Sequence, residues 1–467
     1  MVYVLAMLKN TAALSRTWSS RSLCAVSLLN VLAFGAGALA ACPPTFVAAS
    51  FQPMAGSPFT VVVGDFNHDG RRDLAAANFS SSDATVRFAD PTVPGTYLGP
   101  IHIPLSFNPR GAAVADFNHD NIDDLAVVYN GGGAANTRLA IMISNGNGTF
   151  QTPALYPIAS QPFQLRVADF NHDGNPDLAN LCACGSVSIL LGNADGTFQP
   201  YTSHASGTFA SGLAIADMNG DGALDLVLTT NLAPSGAGQV GVALGVPPHS
   251  ASFGPVNSYA TGWFSAAESA VGNFDAGGTP DVVVTNRTSN RVQVMLNDGV
   301  GVLTPQTARF SGSQPQDVAV ADFNGDGLLD VAAANWGGAS VIVYAGNGLG
   351  GLAAGITFAV SANPNSITVA DMNNDGKPDI ITGDQTGGNA SILLNATCYS
   401  IANLVGPGGS TCDSQLTADD VIAFLSGFFA QQPISDVARL GGAIGPDGLW
   451  TADDVMAFLS AFFAGCL

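Results

Sequence analysis

The sequence has few charged residues and very few of some types. Lys, Arg, Asp and Glu make up 10% of its 467 residues, against about 25% in an average globular domain. Glu268 is the only glutamate, and 35 acidic residues outnumber 14 basic ones, for a formal net charge of -21. So acidic a chain is a poor match for a phosphate backbone, which argues against a nucleic-acid partner. After residue 40, no segment has the ~20 consecutive apolar residues of a spanning helix.

The sequence is rich in apolar residues and glycine. Hydrophobic residues make up 47% of the chain, and there are 55 glycines. This composition excludes a disordered chain and favours short strands joined by tight turns. Nearly all the acidic residues are aspartate, a bias that points to a specific use of the shorter carboxylate.

The first 40 residues have the pattern of a signal peptide. A region with basic residues precedes an uncharged run over 22–40, which ends in Ala-Leu-Ala, a pattern that signal peptidases cut. We therefore expect export with cleavage near Ala40, and Met7 is an alternative start. Residues 39–42 also resemble a lipobox, in which case Cys42 would carry a lipid. The prediction is a secreted or cell-surface protein whose remaining six cysteines tend to pair.

A nine-residue motif, in its commonest form Asp-x-Asn-x-Asp-Gly-x-x-Asp, occurs seven times at intervals of about 50 residues. An apolar run precedes each copy and another follows it. A third run and a turn come next, and then a fourth segment that often opens with Thr-Phe, as at Thr197. Four short strands per repeat without a helical period are typical of a β-propeller blade. The sequence predicts an all-β, seven-bladed propeller.

The spacing within the motif predicts a calcium loop. Side-chain oxygens at positions 1, 3, 5 and 9 and the backbone carbonyl of position 7 can surround one cation, and glycine at position 6 permits a sharp bend. Hard oxygen ligands without His or Cys indicate calcium, with about six to seven ions in all. The alternative is an Asp/Asn/Gly turn that only caps a hairpin. The expected ligand positions are Asp65, Asn67, Asp69, Arg71 and Asp73; Asp116, Asn118, Asp120, Ile122 and Asp124; Asp169, Asn171, Asp173, Asn175 and Asp177; Asp217, Asn219, Asp221, Ala223 and Asp225; Asn273, Asp275 and Asp281; Asp322, Asn324, Asp326, Leu328 and Asp330; and Asp371, Asn373, Asp375, Lys377 and Asp379.

The seven copies of the motif differ, and each difference predicts a different property of its loop. The fifth has Asn273 at position 1 and Gly277 at position 5, so we expect it to bind calcium weakly or not at all. The second has Asn121 in place of glycine, and asparagine tolerates the left-handed backbone best after glycine. Histidine occupies position 4 in three copies, and we expect it to face solvent: His68, His119 and His172.

These units resemble the FG-GAP/VCBS repeats of integrin alpha-subunit propellers and of many secreted bacterial proteins, over about residues 43–397. The resemblance implies a seven-bladed propeller with calcium in a hairpin loop of each blade. Such modules mediate adhesion, glycan binding or protein docking, and some form or accompany polysaccharide-cleaving enzymes.

The ends of the repeat region predict how the ring closes. The seventh unit lacks its Thr-Phe segment, and Thr45-Phe46 lies at the matching offset before Asp65. We expect the N-terminal segment to supply the outer strand of blade seven. Cys42 and Cys398 would then replace the missing hairpin turn with a disulfide. Cys182 and Cys184 lie two residues apart on one predicted strand and face the same way, and both a buried pair and a mutual disulfide remain open.

The C-terminal region is duplicated and helical in pattern. Residues 416–426 recur as 450–460, each a loop with a Thr cap that leads into an amphipathic helix. Over 405–467 it resembles a dockerin, in the variant that ends in Gly-Cys in planctomycete-like secreted proteins, and this implies a cohesin-like surface partner. Residues at loop positions 5, 9 and 12 either bind calcium weakly or cap helices: Asp413, Thr417 and Asp420, then Asp447, Thr451 and Asp454. Cys412 and Cys466 bracket the duplication and are expected to pair.

These features predict four segments: a signal peptide (1–40), the propeller (41–398), a linker (399–411) and a small α-helical dockerin-like domain (412–467). The leading functional prediction is a non-enzymatic binding or adhesion module for an extracellular glycan or protein, attached through its tail. The alternative is a polysaccharide lyase or hydrolase, although candidate general bases outside the loops are few: His102, His204 and His249. Candidate ligand contacts follow the second strands, at Asn78-Phe79, Asn286-Arg287 and Asn335-Trp336, where asparagine is also an ordinary turn residue.

Overall fold

The structure, a computed structural model, describes residues 43–93, 95–131, 137–207, 209–232, 236–247 and 251–397. The predicted signal peptide, linker and dockerin-like domain lie outside these residues, as do Cys42, Cys398, Cys412, Cys466 and His249. The described chain forms 29 strands in seven antiparallel sheets. The all-β seven-bladed propeller expected from the repeats is therefore confirmed.

Each sheet is one blade. Blades one to three contain β2 (Pro58–Gly64), β3 (Asp73–Asn78), β4 (Asp83–Arg87) and β5 (Ile101–Pro104); β6 (Pro109–Ala115), β7 (Asp124–Tyr129), β8 (Arg138–Met142) and β9 (Ala154–Pro157); and β10 (Pro162–Ala168), β11 (Asp177–Cys182), β12 (Ser186–Leu190) and β13 (Thr202–Ala205). Blades four and five contain β14 (Gly212–Ala216), β15 (Asp225–Asn231), β16 (Ala237–Ala243) and β17 (Asn257–Phe264); and β18 (Ala266–Gly272), β19 (Asp281–Asn286), β20 (Arg291–Asn297), β21 (Leu303–Pro305) and β22 (Arg309–Phe310). Blades six and seven contain β23 (Pro315–Ala321), β24 (Asp330–Asn335), β25 (Ser340–Tyr344) and β26 (Ile356–Ala359); and β27 (Pro364–Ala370), β28 (Asp379–Asp384), β29 (Asn389–Leu393) and β1 (Ser50–Pro53).

Burial follows the position of a strand in its blade. The second strand of each blade is buried along its whole length, because both of its faces pack against neighbouring blades. The outermost strands alternate between exposed and half-buried residues, as expected for strands with one solvated face. The inner strands of consecutive blades contact one another, and β27 contacts β2, which closes the ring.

An aromatic pair between neighbouring blades recurs around the ring. The residue at motif position 2 is buried in all seven units, and in four of them it is a phenylalanine that packs against a phenylalanine of the following blade. Ring centroids lie 5.8 Å apart for Phe66 and Phe150 and 5.4 Å apart for Phe117 and Phe198. Aromatic side chains bury large areas, so these contacts contribute strongly to the packing between blades.

The N-terminal segment completes blade seven, as the offset of Thr45-Phe46 predicted. β1 pairs with β29, and Phe46 forms an isolated bridge with Asn395. Phe46 also packs 5.8 Å from Phe323, the contact that the aromatic pair makes between other blades. The regular strand itself begins a few residues later than predicted, at Ser50.

Two cysteines of blade three form a disulfide. Cys182 ends β11 and is buried, whereas Cys184 lies in the following turn and is exposed. The two residues are thus not on one strand, as the sequence interpretation placed them. The turn, which is closed by a hydrogen bond from the Gly185 N–H to the Cys182 carbonyl, brings the two sulfurs together.

Candidate functional site

The seven motif loops lie on one face of the ring. Each connects the inner strand of its blade to the second strand, so the common topology places all of them at the same end. Neighbouring loops are in contact: the His119 ring nitrogen Nε2 lies 2.9 Å from Asn175 Oδ1, and Asn374 Nδ2 lies 3.4 Å from the Gly70 carbonyl oxygen. The second contact joins the seventh loop to the first.

The first loop shows the common arrangement of positions 1, 3 and 5. The carboxylate of Asp65 accepts hydrogen bonds from the N–H groups of Asp69 and Gly70, at 3.0 and 2.9 Å. Asn67 Oδ1 accepts a bond from the same Asp69 N–H at 3.2 Å, and its amide donates to Asp69 Oδ2. The side chains of Asp65, Asn67 and Asp69 therefore converge around one small volume at the surface.

Left-handed residues shape these loops. Position 6 has a positive φ in every loop, including Asn121 at 65°, which confirms that asparagine replaces glycine in the second loop. Position 4 is also left-handed in six loops, a feature that the sequence analysis missed, with φ of 57° at His68 and 58° at His119. His68, His119 and His172 are exposed, as predicted.

The aspartate at position 9 has a different environment. Asp73 is fully buried; its Oδ2 accepts a hydrogen bond from the Phe66 N–H at 3.0 Å, and its Oδ1 accepts one from the Ala89 N–H at 2.8 Å. The carboxylate thus ties the start of the loop to the end of the third strand. All seven position-9 aspartates make the equivalent pair of bonds, which we call the blade clasp: Asp73, Asp124, Asp177, Asp225, Asp281, Asp330 and Asp379.

The clasp carboxylates carry shifted pKa values. Burial raises the pKa of Asp73 to about 7, although its two backbone hydrogen bonds act in the opposite direction. The charges of Asp69 and Asp65 raise it further. Three acidic groups of one loop are therefore close enough to repel, which is a condition that a bound cation relieves.

The fifth loop keeps the clasp but lacks the carboxylates of positions 1 and 5. Asp281 accepts bonds from the Phe274 and Asn297 N–H groups, both at 2.8 Å. Asp275 Oδ1 at position 3 still accepts a bond from the position-5 N–H, here that of Gly277, at 2.6 Å, as Asn67 does in the first loop. With Asn273 at position 1, the loop does not show the paired bonds that Asp65 accepts in the first loop.

The donor set of the other six loops fits a hard cation. Among the described residues, no three acidic, histidine or cysteine side chains form a group arranged to hold a metal ion. Each of these loops instead offers carboxylates from positions 1 and 5 and an amide oxygen from position 3. The clasp carboxylate lies beneath them, and each of its oxygens has a second lone pair beyond its backbone bond. Oxygen-only donors of this kind suit calcium.

The opposite face carries the turns after the second strands. Asn78, Asn286 and Asn335 are fully buried there. The Asn78 amide donates to Asp83 of its own blade, whereas the amide oxygens of Asn286 and Asn335 accept from Thr261 and Ser311, which end the preceding blades. These three side chains are engaged in internal hydrogen bonds, which fits a structural role better than contact with a ligand. Their neighbours Arg287 and Trp336 do come together, with the guanidinium 5.5 Å from the ring centroid.

Around Arg287 and Trp336 lies a wider cluster, which we call the aromatic–arginine patch. Arg291 is 5.1 Å from the Trp263 ring and 5.8 Å from the Phe310 ring. Phe310 is 62% exposed, and the neighbouring Phe264 is 58% exposed. The patch joins residues from the ends of strands in blades four, five and six, so sequence distance concealed it.

The two described histidines outside the loops lie on outer strands. His102 Nδ1 is 2.9 Å from Asp83 Oδ2 and 3.1 Å from Thr85 Oγ1. His204 packs edge-on against Phe253, and burial lowers its pKa. Neither residue lines the central cavity of the ring.

The repeats match a known family model. The FG-GAP-like repeat matches over residues 65–127, 116–180, 181–228, 273–333 and 322–382, which together cover more than half of the chain. The chain belongs to the FG-GAP-like repeat family. The chain has no match among curated proteins.

Solved structures are similar to this FG-GAP protein. The crystal structure of BBS1N in complex with ARL6DN has a TM-score of 0.51 at 11% identity, over 75% of this chain and 96% of that chain. An Agrocybe aegerita lectin that recognises non-reducing terminal N-acetylglucosamine has a TM-score of 0.49 at 18% identity, over 74% and 87%. At 11% identity, the similarity to BBS1N shows a shared fold alone. Within the described residues, no helix is long and apolar enough to cross a membrane.

Proposed function

We propose that this chain is a calcium-stabilised extracellular binding module. The observation that carries the calcium assignment is the convergence of positions 1, 3 and 5 above a buried carboxylate in six of seven loops. A cation there relieves the repulsion among the three carboxylates and joins the loop to the blade clasp. Export and attachment through a dockerin-like tail belong to the same proposal, and they rest on the sequence patterns at the two ends of the chain.

The aromatic–arginine patch supports a ligand surface on the face opposite the loops. Trp and Arg are enriched where binding energy concentrates in protein interfaces, and exposed aromatic rings also provide flat apolar surfaces for sugar rings. The patch exposes two phenylalanines beside two arginines. We therefore propose that it contacts an extracellular glycan or protein.

Calcium is tested by thermal melting of the full chain with and without excess EDTA. Ions that bind only the folded state at 100 times their Kd stabilise it by about 2.7 kcal/mol per site. We expect the melting midpoint to fall by several degrees in EDTA and to recover with calcium but not with magnesium. An unchanged midpoint would contradict the calcium assignment.

The ligand surface is tested by applying the calcium-loaded chain to polysaccharide and extracellular-protein arrays. We expect retention that is lost in Phe310→Ala and Trp336→Ala. Phe107→Ala is the matched control, because Phe107 is 59% exposed and lies outside the patch. Equal retention of all three variants would exclude the patch, and release of new sugar ends would identify an enzyme instead.

A further inference from the structure

The inner strands of all seven blades enclose a central cavity of about 320 Å³. This volume is in the range of sites for small molecules. Arg166 lines the cavity and keeps 36% of its side chain exposed, so water reaches the interior. The proposed calcium loops and the aromatic–arginine patch contribute none of the lining residues.

Polar side chains line the cavity wall at one level, near the start of the inner strands. Near the start of each inner strand, one residue lines the cavity in six blades: Thr60, Gly111, Gln164, Glu268, Asp317 and Ser366. The only glutamate of the chain is among them. The two acidic residues of the cavity wall, Glu268 and Asp317, therefore belong to neighbouring blades, five and six.

The charges in the cavity do not balance. Glu268 is 5% exposed and pairs with Arg166, whose Nη2 lies 3.3 Å from its Oε1. Asp317 accepts hydrogen bonds from the N–H groups of Ile367 at 2.9 Å and Val318 at 2.8 Å, with no second guanidinium beside it among the cavity residues. Two carboxylates therefore face one guanidinium. Glu268 is buried and Asp317 is half-buried, and removing an unbalanced charge from water is costly.

Both cavity carboxylates have raised pKa values, chiefly because they are removed from water. Burial raises the pKa of Glu268 well above its ordinary value, and the charge of Asp317 raises it further. Burial also raises the pKa of Asp317. Arg166 lowers both but does not cancel either shift.

The cavity also holds acceptors without donors. Gln164 donates its amide N–H to Glu268, and this leaves Gln164 Oε1 buried without a hydrogen-bond partner in the described residues. Gln316 Oε1 is also buried without a hydrogen-bond partner in the described residues. An ionised Glu268 only accepts hydrogen bonds, so in that form the amide of Gln164 keeps its bond to Glu268 only in this orientation. The atoms that need partners are therefore acceptors.

We infer that the central cavity binds a small organic cation that carries hydrogen-bond donors, such as a primary amine no larger than a monosaccharide. Its ammonium group would balance the second carboxylate, and its N–H or O–H groups would bond to Gln164 and Gln316. A bare metal ion fits less well, because the cavity is large and only two of its lining residues, Glu268 and Asp317, are acidic. The inference does not depend on the calcium loops, since amine binding and the response to EDTA are measured separately.

The test is isothermal titration calorimetry of the full chain with matched pairs of compounds. Ethanolamine, putrescine and glucosamine are compared with ethylene glycol, 1,4-butanediol and glucose. We expect at least one amine to bind with a stoichiometry of one, and its neutral partner to bind at least about tenfold more weakly. No binding of any amine, or equal binding of amine and neutral partner, would overturn the inference.

Variants place the binding in the cavity. Glu268→Gln and Asp317→Asn each remove one cavity carboxylate, and we expect each to weaken amine binding at least about tenfold. Asp384→Asn is the control, because Asp384 is a buried acid in β28 that does not line the cavity. Arg166→Gln makes the cavity more negative, and we expect it to tighten amine binding, a gain that misfolding cannot produce. Unchanged affinity in all three cavity variants would contradict the inference.

Discussion

The fifth motif loop and the six others share their buried half and differ in their exposed half. In all seven, an aspartate at position 9 accepts two backbone hydrogen bonds beneath the loop. Only the six carry the aspartates at positions 1 and 5 that shape the exposed part. The blade is equally complete in both cases. The difference separates two roles of one motif: position 9 belongs to the fold, and positions 1 and 5 belong to the proposed metal site.

The largest expected effect comes from breaking the clasp where no calcium is proposed. Asp281→Ala leaves the Phe274 and Asn297 N–H groups buried without acceptors, which costs about 2–5 kcal/mol of the free energy of unfolding. Urea unfolding of the full chain, in calcium and in EDTA, should show the same loss in both. The control Asp275→Ala should lose less than about 1 kcal/mol. A loss in Asp281→Ala as small as that of the control would show that the clasp is not a fold element.

A smaller effect is expected from removing one proposed calcium ligand from one of the six loops that have aspartates at positions 1 and 5. Asp326→Ala in the sixth loop should lower the number of bound calcium ions by one, as measured by equilibrium dialysis with metal analysis. It should also reduce the calcium-dependent part of stability by about 1–3 kcal/mol. Asp275→Ala in the fifth loop should leave the number of ions unchanged. Equal ion loss in both variants would remove the distinction between the loops.

Repair of the fifth loop tests the comparison from the other direction. The double substitution Asn273→Asp with Gly277→Asp restores positions 1 and 5. A Cβ at Gly277 would meet only Asp275 Oδ1, at 2.7 Å, which is the end of a flexible side chain. We expect one additional calcium ion and a gain of about 1–2 kcal/mol in calcium. In EDTA the added carboxylates repel, so stability should fall. An unchanged ion count would show that the fifth loop differs for another reason.

The smallest effect is expected at position 6 of the second loop. Asn121 already adopts φ of 65°, so Asn121→Gly should change stability by less than about 1 kcal/mol and leave calcium binding intact. Asn121→Ala should destabilise more, since alanine has no polar side chain to support a left-handed backbone. Thermal melting in calcium compares the two variants. If alanine were tolerated as well as glycine, the left-handed requirement would not hold.

Much of the fold was predictable because the repeat is dense. Seven copies of one motif, each flanked by apolar runs, determine both the blade and the number of blades. The offset of Phe46 from Asp65 even predicted which segment closes the ring. The clasp was not predictable from spacing, because a carboxylate at position 9 suits a metal ligand and a backbone acceptor equally. Its burial and its two backbone hydrogen bonds show the second role, and its part as a calcium ligand stays a prediction.

Residues that meet across blades were harder to predict. Glu268 is conspicuous as the only glutamate. The other charged residues of the cavity, Arg166 and Asp317, come from other repeats at different sequence distances. An alignment of the seven inner strands would have shown that cavity-lining positions vary while the motif repeats. Trp263, Arg291 and Phe310 were missed for the same reason. Repetition indicates what all blades share, and sites that use the differences between blades leave no periodic signal.

The pairing of β1 with β29 has a consequence for how the chain reaches its final state. The contact between Thr45 and Thr397 joins residues 352 positions apart. During synthesis the segment that leads the chain has no partner until the last blade has been made. Closure of so long a loop is slow compared with pairing inside a blade. Six blades can form by local pairing, but the ring becomes one cooperative folding unit only when β1 pairs with β29.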